Sequence, residues 1–196
     1  MPDSRLICLV DDDAQVRDSL SLMLGLKGYD CRSYDSAESF LAAAPQRPAC
    51  VILDLRMAGM DGLQLQARLK ALSSPHQIIF LTAYADVEVM RAAFIDQAVD
   101  FLEKPVQADR LMRALDTAFA RLEEVTQQDA TRQKLDRLTP REQEVYAAIV
   151  QGLSHREVGE RLNISPRTVE VHKARIMEKL GVTTLAELLR QALGHP

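Results

Sequence analysis

The chain has 196 residues, 47% hydrophobic and 27% charged, with a formal net charge of -4. That is an ordinary globular composition, with room for one large or two smaller domains. No apolar run approaches the ~18 residues of a membrane helix. The opening MPDSRLICLV is too short and too soon acidic for a secretory leader, so a cytoplasmic protein with no membrane partner is expected. The first part of the chain alternates two kinds of segment. LICLV (6–10), CRSY (31–34), CVILD (50–54), QIIFLT (77–82) and VDFLE (99–103) are short apolar or β-branched runs. Between them lie VRDSLSLMLGLK, AESFLAAA, LQLQARLKAL and VEVMRAAFI, which have helical spacing. Five strands separated by helices of that length predict right-handed crossovers and a parallel, doubly wound sheet of the flavodoxin-like kind. The three cysteines, Cys8, Cys31 and Cys50, lie in or beside strand-like runs with no C-x-x-C spacing and read as small buried hydrophobes.

A further helix is expected from near Val106, because Leu111, Leu115, Ala118, Leu122 and Val125 recur at steps of four and three. The stripe fades into TQQDATRQK, which holds neither Gly nor Pro, so residues 121–138 are expected to form a linker that is at least partly helical. The last part reads as all helix. Thr139-Pro-Arg-Glu142, Ser154-His-Arg-Glu157 and Thr184-Leu-Ala-Glu187 each fit a capping box. Ser165-Pro166 supplies another start, while Gly152, Gly181 and Asn163 suit left-handed helix ends. Four helices follow, near 140–150, 155–162, 166–180 and 185–193. The middle pair is joined only by Asn163-Ile-Ser165, which is helix-turn-helix spacing. Residues 1–120 hold 12 Lys/Arg against 17 Asp/Glu, whereas residues 137–196 hold 9 against 7. An acidic first part and a mildly basic last part suit different partners.

The chemistry gathers at strand ends. The first apolar run stops in Asp11, Asp12 and Asp13, the third in Asp54, the fourth in Thr82, and the fifth runs into Lys104-Pro105. In a doubly wound sheet the carboxyl ends of the strands converge on one crevice. Carboxylates crowded there repel one another, unless a hard divalent cation with oxygen preference sits among them. An aspartate can also be a nucleophile that forms an aspartyl phosphate, and phosphoryl transfer needs a metal and fixed donors around the phosphoryl oxygens. Asp54 fits the nucleophile, Asp11 and Asp12 the metal, and Thr82 and Lys104 the oxygen contacts. Asp13 reads as a helix cap, and Asp61 and Asp86 as cap or loop residues. A Mg²⁺-dependent phosphatase is the competing reading, but the chain has no D-x-D at Asp54 and no insertion to serve as a substrate cap.

VDDD, LDLRM with MDG, LTAYAD and VDFLEKP resemble, in order, the receiver domain of two-component response regulators. LTPREQEVYAAIVQGLSHREVGERLNISPRTVEVHKARIMEKLGV resembles the LuxR-type helix-turn-helix. Together they resemble the NarL/FixJ class, nearest the FixJ type. The resemblance implies a receiver over 1–120, the linker over 121–138 and a DNA-binding domain over 139–196. It implies a phospho-acceptor at Asp54 and a Mg²⁺ site, in which Mn²⁺ or Ca²⁺ can substitute, made by Asp11, Asp12, Asp54 and the backbone carbonyl of Arg56. It further implies phosphate contacts from Thr82 and Lys104, a rotamer switch at Phe101, and tuning positions at Arg56 and Tyr84. The apolar side of the 166–180 helix, Val169, Ile176 and Leu180, is expected to pack inward. By the resemblance Arg167, Thr168, Val169, His172 and Lys173 are expected nearest DNA, with Arg175 and Lys179 at phosphates. The last helix, with Leu185, Leu188, Leu189 and Ala192, is the family's dimerisation element.

The implied partners are a sensor histidine kinase, promoter DNA, a second copy on phosphorylation, and RNA polymerase as a further candidate. No enzymatic activity is expected beyond self-phosphorylation from a phosphodonor and slow self-dephosphorylation. The chain departs from the family in having Ala58 where proline is common, and in Gln97 where glycine is common nearby.

Overall fold

The computed structural model describes residues 5–83 and 98–192. The expected helix over VEVMRAAFI, together with Tyr84, Asp86 and Gln97, lies outside them. The first unit contains β1 (Leu6–Val10), α1 (Ala14–Leu26), β2 (Asp30–Tyr34), α2 (Ala37–Ala43), β3 (Cys50–Asp54), α3 (Gly62–Ala71), β4 (Gln77–Thr82), β5 (Asp100–Glu103) and the start of α4 (Ala108–Leu135). The strands form one sheet in the order β2-β1-β3-β4-β5, with every pairing parallel. This is the flavodoxin-like order expected from the alternating segments. Connectivity reverses between β1 and β3, and that reversal opens a crevice beyond their carboxyl ends.

Strand alternation divides the core in two. Leu6, Cys8, Val10, Val51, Leu53, Phe80 and Phe101 pack on one face of the sheet with Phe40 of α2 and Leu65 and Leu69 of α3. Ile7, Leu9, Ile52, Ile79, Leu81 and Leu102 pack on the other with Leu20 and Leu24 of α1 and Leu111, Leu115 and Phe119 of α4. Because both faces are covered, the strands read as unbroken apolar runs rather than as alternating ones. Cys8 and Cys50 are buried on opposite faces and all three cysteines are free thiols.

Caps set the helix starts. Asp13 Oδ1 accepts the Gln15 N–H at 2.8 Å at the head of α1. Asp61 and Gln64 form a reciprocal capping box at the head of α3. Gly62 follows that cap because nothing larger fits: a Cβ there would stand 2.5 Å from the Asp54 carbonyl oxygen and 3.0 Å from the Phe80 ring. The helix thus begins pressed against the backbone of the third strand's last residue.

The helix α4 starts at Ala108, slightly later than Val106, and runs unbroken to Leu135, so residues 121–135 are helical. The chain divides into compact units inside this helix, after Val125. The second unit holds α5 (Pro140–Val150), α6 (His155–Leu162), α7 (Pro166–Leu180) and α8 (Leu185–Ala192). Its core is Leu138, Val145, Ala148, Ile149, Val158, Val169, Ile176, Leu180 and Leu188. Thr139 and Ser154 complete the expected capping boxes with Glu142 and Glu157, and Thr184 exchanges backbone and side-chain bonds with Glu187. Asn163 and Gly181 take left-handed conformations after α6 and α7.

The close approach behind Asp54 gives a direct test. Gly62→Ala should destabilise the first unit by about 1–3 kcal/mol through overpacking. Gly25→Ala, in α1 with open space around its Cβ position, should instead stabilise it by roughly 0.5–1 kcal/mol through helix propensity. Urea unfolding of the two variants beside wild type measures both.

An acidic pocket and a helix-turn-helix

The crevice at the β1/β3 reversal holds the expected carboxylates. Asp11 follows β1 and is buried; Asp54 ends β3 and is buried; Asp12 is exposed at the rim. One oxygen from each lies within 4.8 Å of the others. Lys104, just beyond β5, reaches between the two buried groups. Its Nζ stands 2.7 Å from Asp11 Oδ2 and donates a hydrogen bond of 2.9 Å to Asp54 Oδ2. A backbone bond anchors this residue: Lys104 N–H donates to the Thr82 carbonyl at 2.7 Å. Thr82 is itself buried at the end of β4.

Backbone amides hold the carboxylates in place. The Asp13 N–H donates to Asp11 Oδ1 at 2.9 Å, and Arg17 of α1 donates to the Asp11 carbonyl at 2.6 Å. The Arg56 N–H donates to Asp54 Oδ1 at 3.4 Å, and the Ala58 N–H to Asp12 Oδ2 at 3.3 Å. The other oxygen of Asp11, Oδ2, is buried and has no aligned hydrogen-bond donor. Three carboxylates against one ammonium leave two negative charges, and all the offered ligands are hard oxygens. This donor set fits a divalent cation of the Mg²⁺ kind.

Electrostatics follow from burial. Desolvation pushes the Asp54 carboxyl above the usual carboxylate range, against the pull of Lys104 and with the repulsion of Asp11 added. Burial also opposes the charge on Lys104, but its two carboxylate partners outweigh that and raise its pKa. Phe101 of β5 is buried, its ring centroid 5.7 Å from that of Phe80.

In the second unit α6, the turn and α7 form the helix-turn-helix. The turn is tight because Gly159 lies under it: a Cβ there would stand 2.6 Å from the Ile164 carbonyl oxygen. The Ile164 N–H returns to the Gly159 carbonyl at 3.0 Å, and Arg141 of α5 donates to the Leu162 carbonyl. Sequence reasoning missed Gly159, and likewise Gly62. Gly62 is crowded by Asp54 and Phe80 from other strands, and Gly159 by Ile164 across the turn that follows its helix.

One expectation for the recognition helix α7 is corrected. Val169 is fully buried in the helical core and cannot meet a DNA base. Val171, two positions on, is 47% exposed and takes its place on the outer face with Arg167, Glu170 and Arg175. The signal was the helical period itself, since Val169, Ile176 and Leu180 share one face and Val171 falls off it. Lys179 is a third exposed, and its Nζ donates to Glu142 Oε2 at 2.6 Å and to the Arg137 carbonyl at 3.3 Å, so it braces the start of α5. Glu142 is almost fully buried, and the Lys179 bond foremost, with the Thr139 N–H next, holds its carboxyl down to about 2. Thr168 is half-buried and shares the cap with Ser165, its Oγ1 lying 2.8 Å from the serine Oγ. His172 and Lys173 are half-buried. On α8, Leu188 belongs to the core of the unit, whereas Leu185 is 42% exposed.

These charge environments set two pH dependences. A carboxyl raised in the folded state favours folding below its unfolded value and weakens it above its folded one. Without divalent cation, Asp54→Asn should therefore stabilise the first unit at pH 7, the gain vanishing as wild-type Asp54 protonates in acid. Glu142 has the opposite sign: its contribution is present above its ordinary value of 4.5 and is lost as pH falls through about 2. Lys179→Met should cost the helical unit about 1–2 kcal/mol at pH 7, and the deficit should close toward pH 2. Thermal unfolding across pH measures both.

Comparison with known proteins agrees with both halves. Residues 7–116 match the response regulator receiver domain family, and residues 136–192 match the bacterial regulatory proteins of the luxR family. The transcriptional regulatory protein FixJ of Bradyrhizobium diazoefficiens is 38% identical over 192 residues, 95% of this chain and 94% of that one. The tetrathionate response regulatory protein TtrR of Salmonella typhimurium is 37% identical over 190 residues, 94% of this chain and 90% of that one. Among solved structures, the response regulator StyR is 33% identical with a TM-score of 0.76, covering 98% of this chain and 100% of that one. Full-length FixJ from B. japonicum is 38% identical with a TM-score of 0.59, covering 97% and 96%. The chain belongs to the two-component response regulators, a transcription regulator that joins a receiver domain to a LuxR-type helix-turn-helix.

Proposed function

We propose that Asp54 accepts a phosphoryl group from a sensor histidine kinase and that this modification governs dimerisation and promoter binding. The observation that carries the reading is the acidic pocket: a buried Asp54 shares one ammonium with buried Asp11 while exposed Asp12 stands at the rim. In this reading Asp11, Asp12, Asp54 and the Arg56 carbonyl hold Mg²⁺, with Mn²⁺ or Ca²⁺ as substitutes. When bound, the cation neutralises charge on the transferring phosphoryl oxygens. An Asp54 oxygen attacks phosphorus in line, and the leaving nitrogen of the kinase histidine keeps the bonding pair. Lys104 and Thr82 then take the phosphoryl oxygens. Lys104 is supplied with charge for this in advance, since its present partners are carboxylates at comparable distance.

Phosphorylation can act on the rest of the chain only through a difference in affinity between two conformations. Phe101, packed against Phe80 behind the pocket, is the residue assigned to that change, and Arg56 and Tyr84 are assigned to the lifetime of the phosphate. Promoter DNA is the partner of α7. Arg167 and Thr168 at its first turn meet base edges or phosphates, Val171 offers an apolar surface to a thymine methyl, and Arg175 reaches the backbone. His172 and Lys173 border that face. A second copy joins through α8, where Leu185 is exposed, and RNA polymerase is a further partner. No described helix is long and apolar enough to cross a membrane, and the protein is assigned to the cytoplasm.

Incubation with acetyl phosphate and Mg²⁺ should give wild type an acid-stable, hydroxylamine-labile phosphate that Asp54→Asn lacks. Equal labelling of the two would overturn the assignment. Footprinting the same samples on a random DNA library should show paired half-sites that strengthen with phosphodonor. On the selected site, Arg167→Ala should lose roughly 1–3 kcal/mol of binding.

A further inference from the structure

The loop of residues 55–61, between β3 and α3, is fastened at two points by carboxylates from other elements. At one end the Ala58 N–H donates to Asp12 Oδ2 at 3.3 Å. At the other the Met60 N–H donates to Glu38 Oε1 of α2 at 2.9 Å. Gly59 lies between, with φ of +81°, and a Cβ there would stand 2.8 Å from the same Glu38 oxygen. The loop therefore runs as a strap from the rim of the acidic pocket to α2, and glycine is what lets the Glu38 carboxylate come so close.

Asp12 has no burial to hold its carboxylate. Asp11 and Asp54 are enclosed and braced by Lys104, whereas Asp12 is exposed, and the bond from Ala58 reaches it from the strap. The same strap carries Arg56 and begins at the residue after Asp54. Partners that orient a metal-binding carboxylate can matter nearly as much as the ligands themselves. We propose that Glu38 is a positioning residue for the cation site: by holding the Met60 N–H it fixes the strap, and the strap's Ala58 N–H orients Asp12. Glu38 touches neither the cation nor the phosphoryl group. This inference rests on the reading of Asp11, Asp12 and Asp54 as a cation site.

Calorimetric titration of the full chain with Mg²⁺, without phosphodonor, tests it in wild type, Glu38→Ala and Glu38→Gln. Glu38→Ala should weaken binding by about threefold to tenfold, the worth of one oriented hydrogen bond. Glu38→Gln should stay within about twofold of wild type, because its amide oxygen still accepts the Met60 N–H. Equal weakening in both variants would assign the effect to lost negative charge and overturn the positioning role, as would unchanged binding in Glu38→Ala. Amide exchange in metal-free wild type gives a second measurement that needs no variant: Ala58 and Met60 should be protected, and exchange of both at open-loop rates would overturn the strap. If wild type itself binds no Mg²⁺, the cation reading fails and takes this inference with it. If wild type binds and the variants match it, the positioning role alone fails.

Discussion

Two buried carboxylates share one ammonium, and the function proposed for the first unit rests on that shortage of positive charge. Asp11 and Asp54 stand close because β1 and β3 are neighbours at the point where the sheet reverses direction. Lys104 is brought between them by the end of β5. One lysine cannot balance three acidic groups, and the imbalance falls where water is partly excluded and charge is expensive. In the proposed function a divalent cation would supply what is missing. The burial that raises Asp54 also keeps the rest of the fold compact around it, with Gly62 pressed on its carbonyl and Phe80 beneath. Stability and the proposed chemistry therefore meet at one residue, Asp54.

The helical unit uses its charges with opposite economy. Of the four cationic side chains on α7, Lys179 is committed to Glu142, and so to the cap that starts α5. Glu142 takes three donors at one oxygen, from the Thr139 backbone, the Thr139 hydroxyl and Lys179. This ties the end of α7 to the start of α5 and fixes the direction in which the first turn of α7 points. The outer face of α7 is small: Arg167, Val171 and Arg175 with polar neighbours. In the proposed function this is the face that meets promoter DNA, and so small a face suits reading in pairs, since two half-sites multiply a modest single-site preference.

Much of this was legible in the sequence for identifiable reasons. Helix starts were readable because a capping residue and its partner lie three positions apart, within reach of one another in any context; Thr139, Ser154 and Thr184 illustrate it. Strands were readable because a sheet covered on both faces leaves continuous apolar runs. The acidic residues were readable because doubly wound connectivity brings strand ends together whatever the side chains between. The expectation that Val169 lies nearest DNA came from the family resemblance, although the period of Val169, Ile176 and Leu180 already placed it on the inward face. The pairing of Lys179 was not readable, because it required the position of Glu142, which lies 37 residues away along the chain.

By itself the sequence determined the order of elements, their caps, the sheet's winding and the set of residues that gather at its carboxyl edge. These rest on local spacing and on the few topologies open to alternating strands and helices. Only the tertiary structure decided how Lys104 divides itself between Asp11 and Asp54, why Gly62 must be a glycine, that Lys179 meets Glu142, and that Glu38 meets the loop beyond Asp54. Each of these is a close approach between groups distant in the chain. Such an approach is set by packing distances of a few ångströms, which no local pattern encodes.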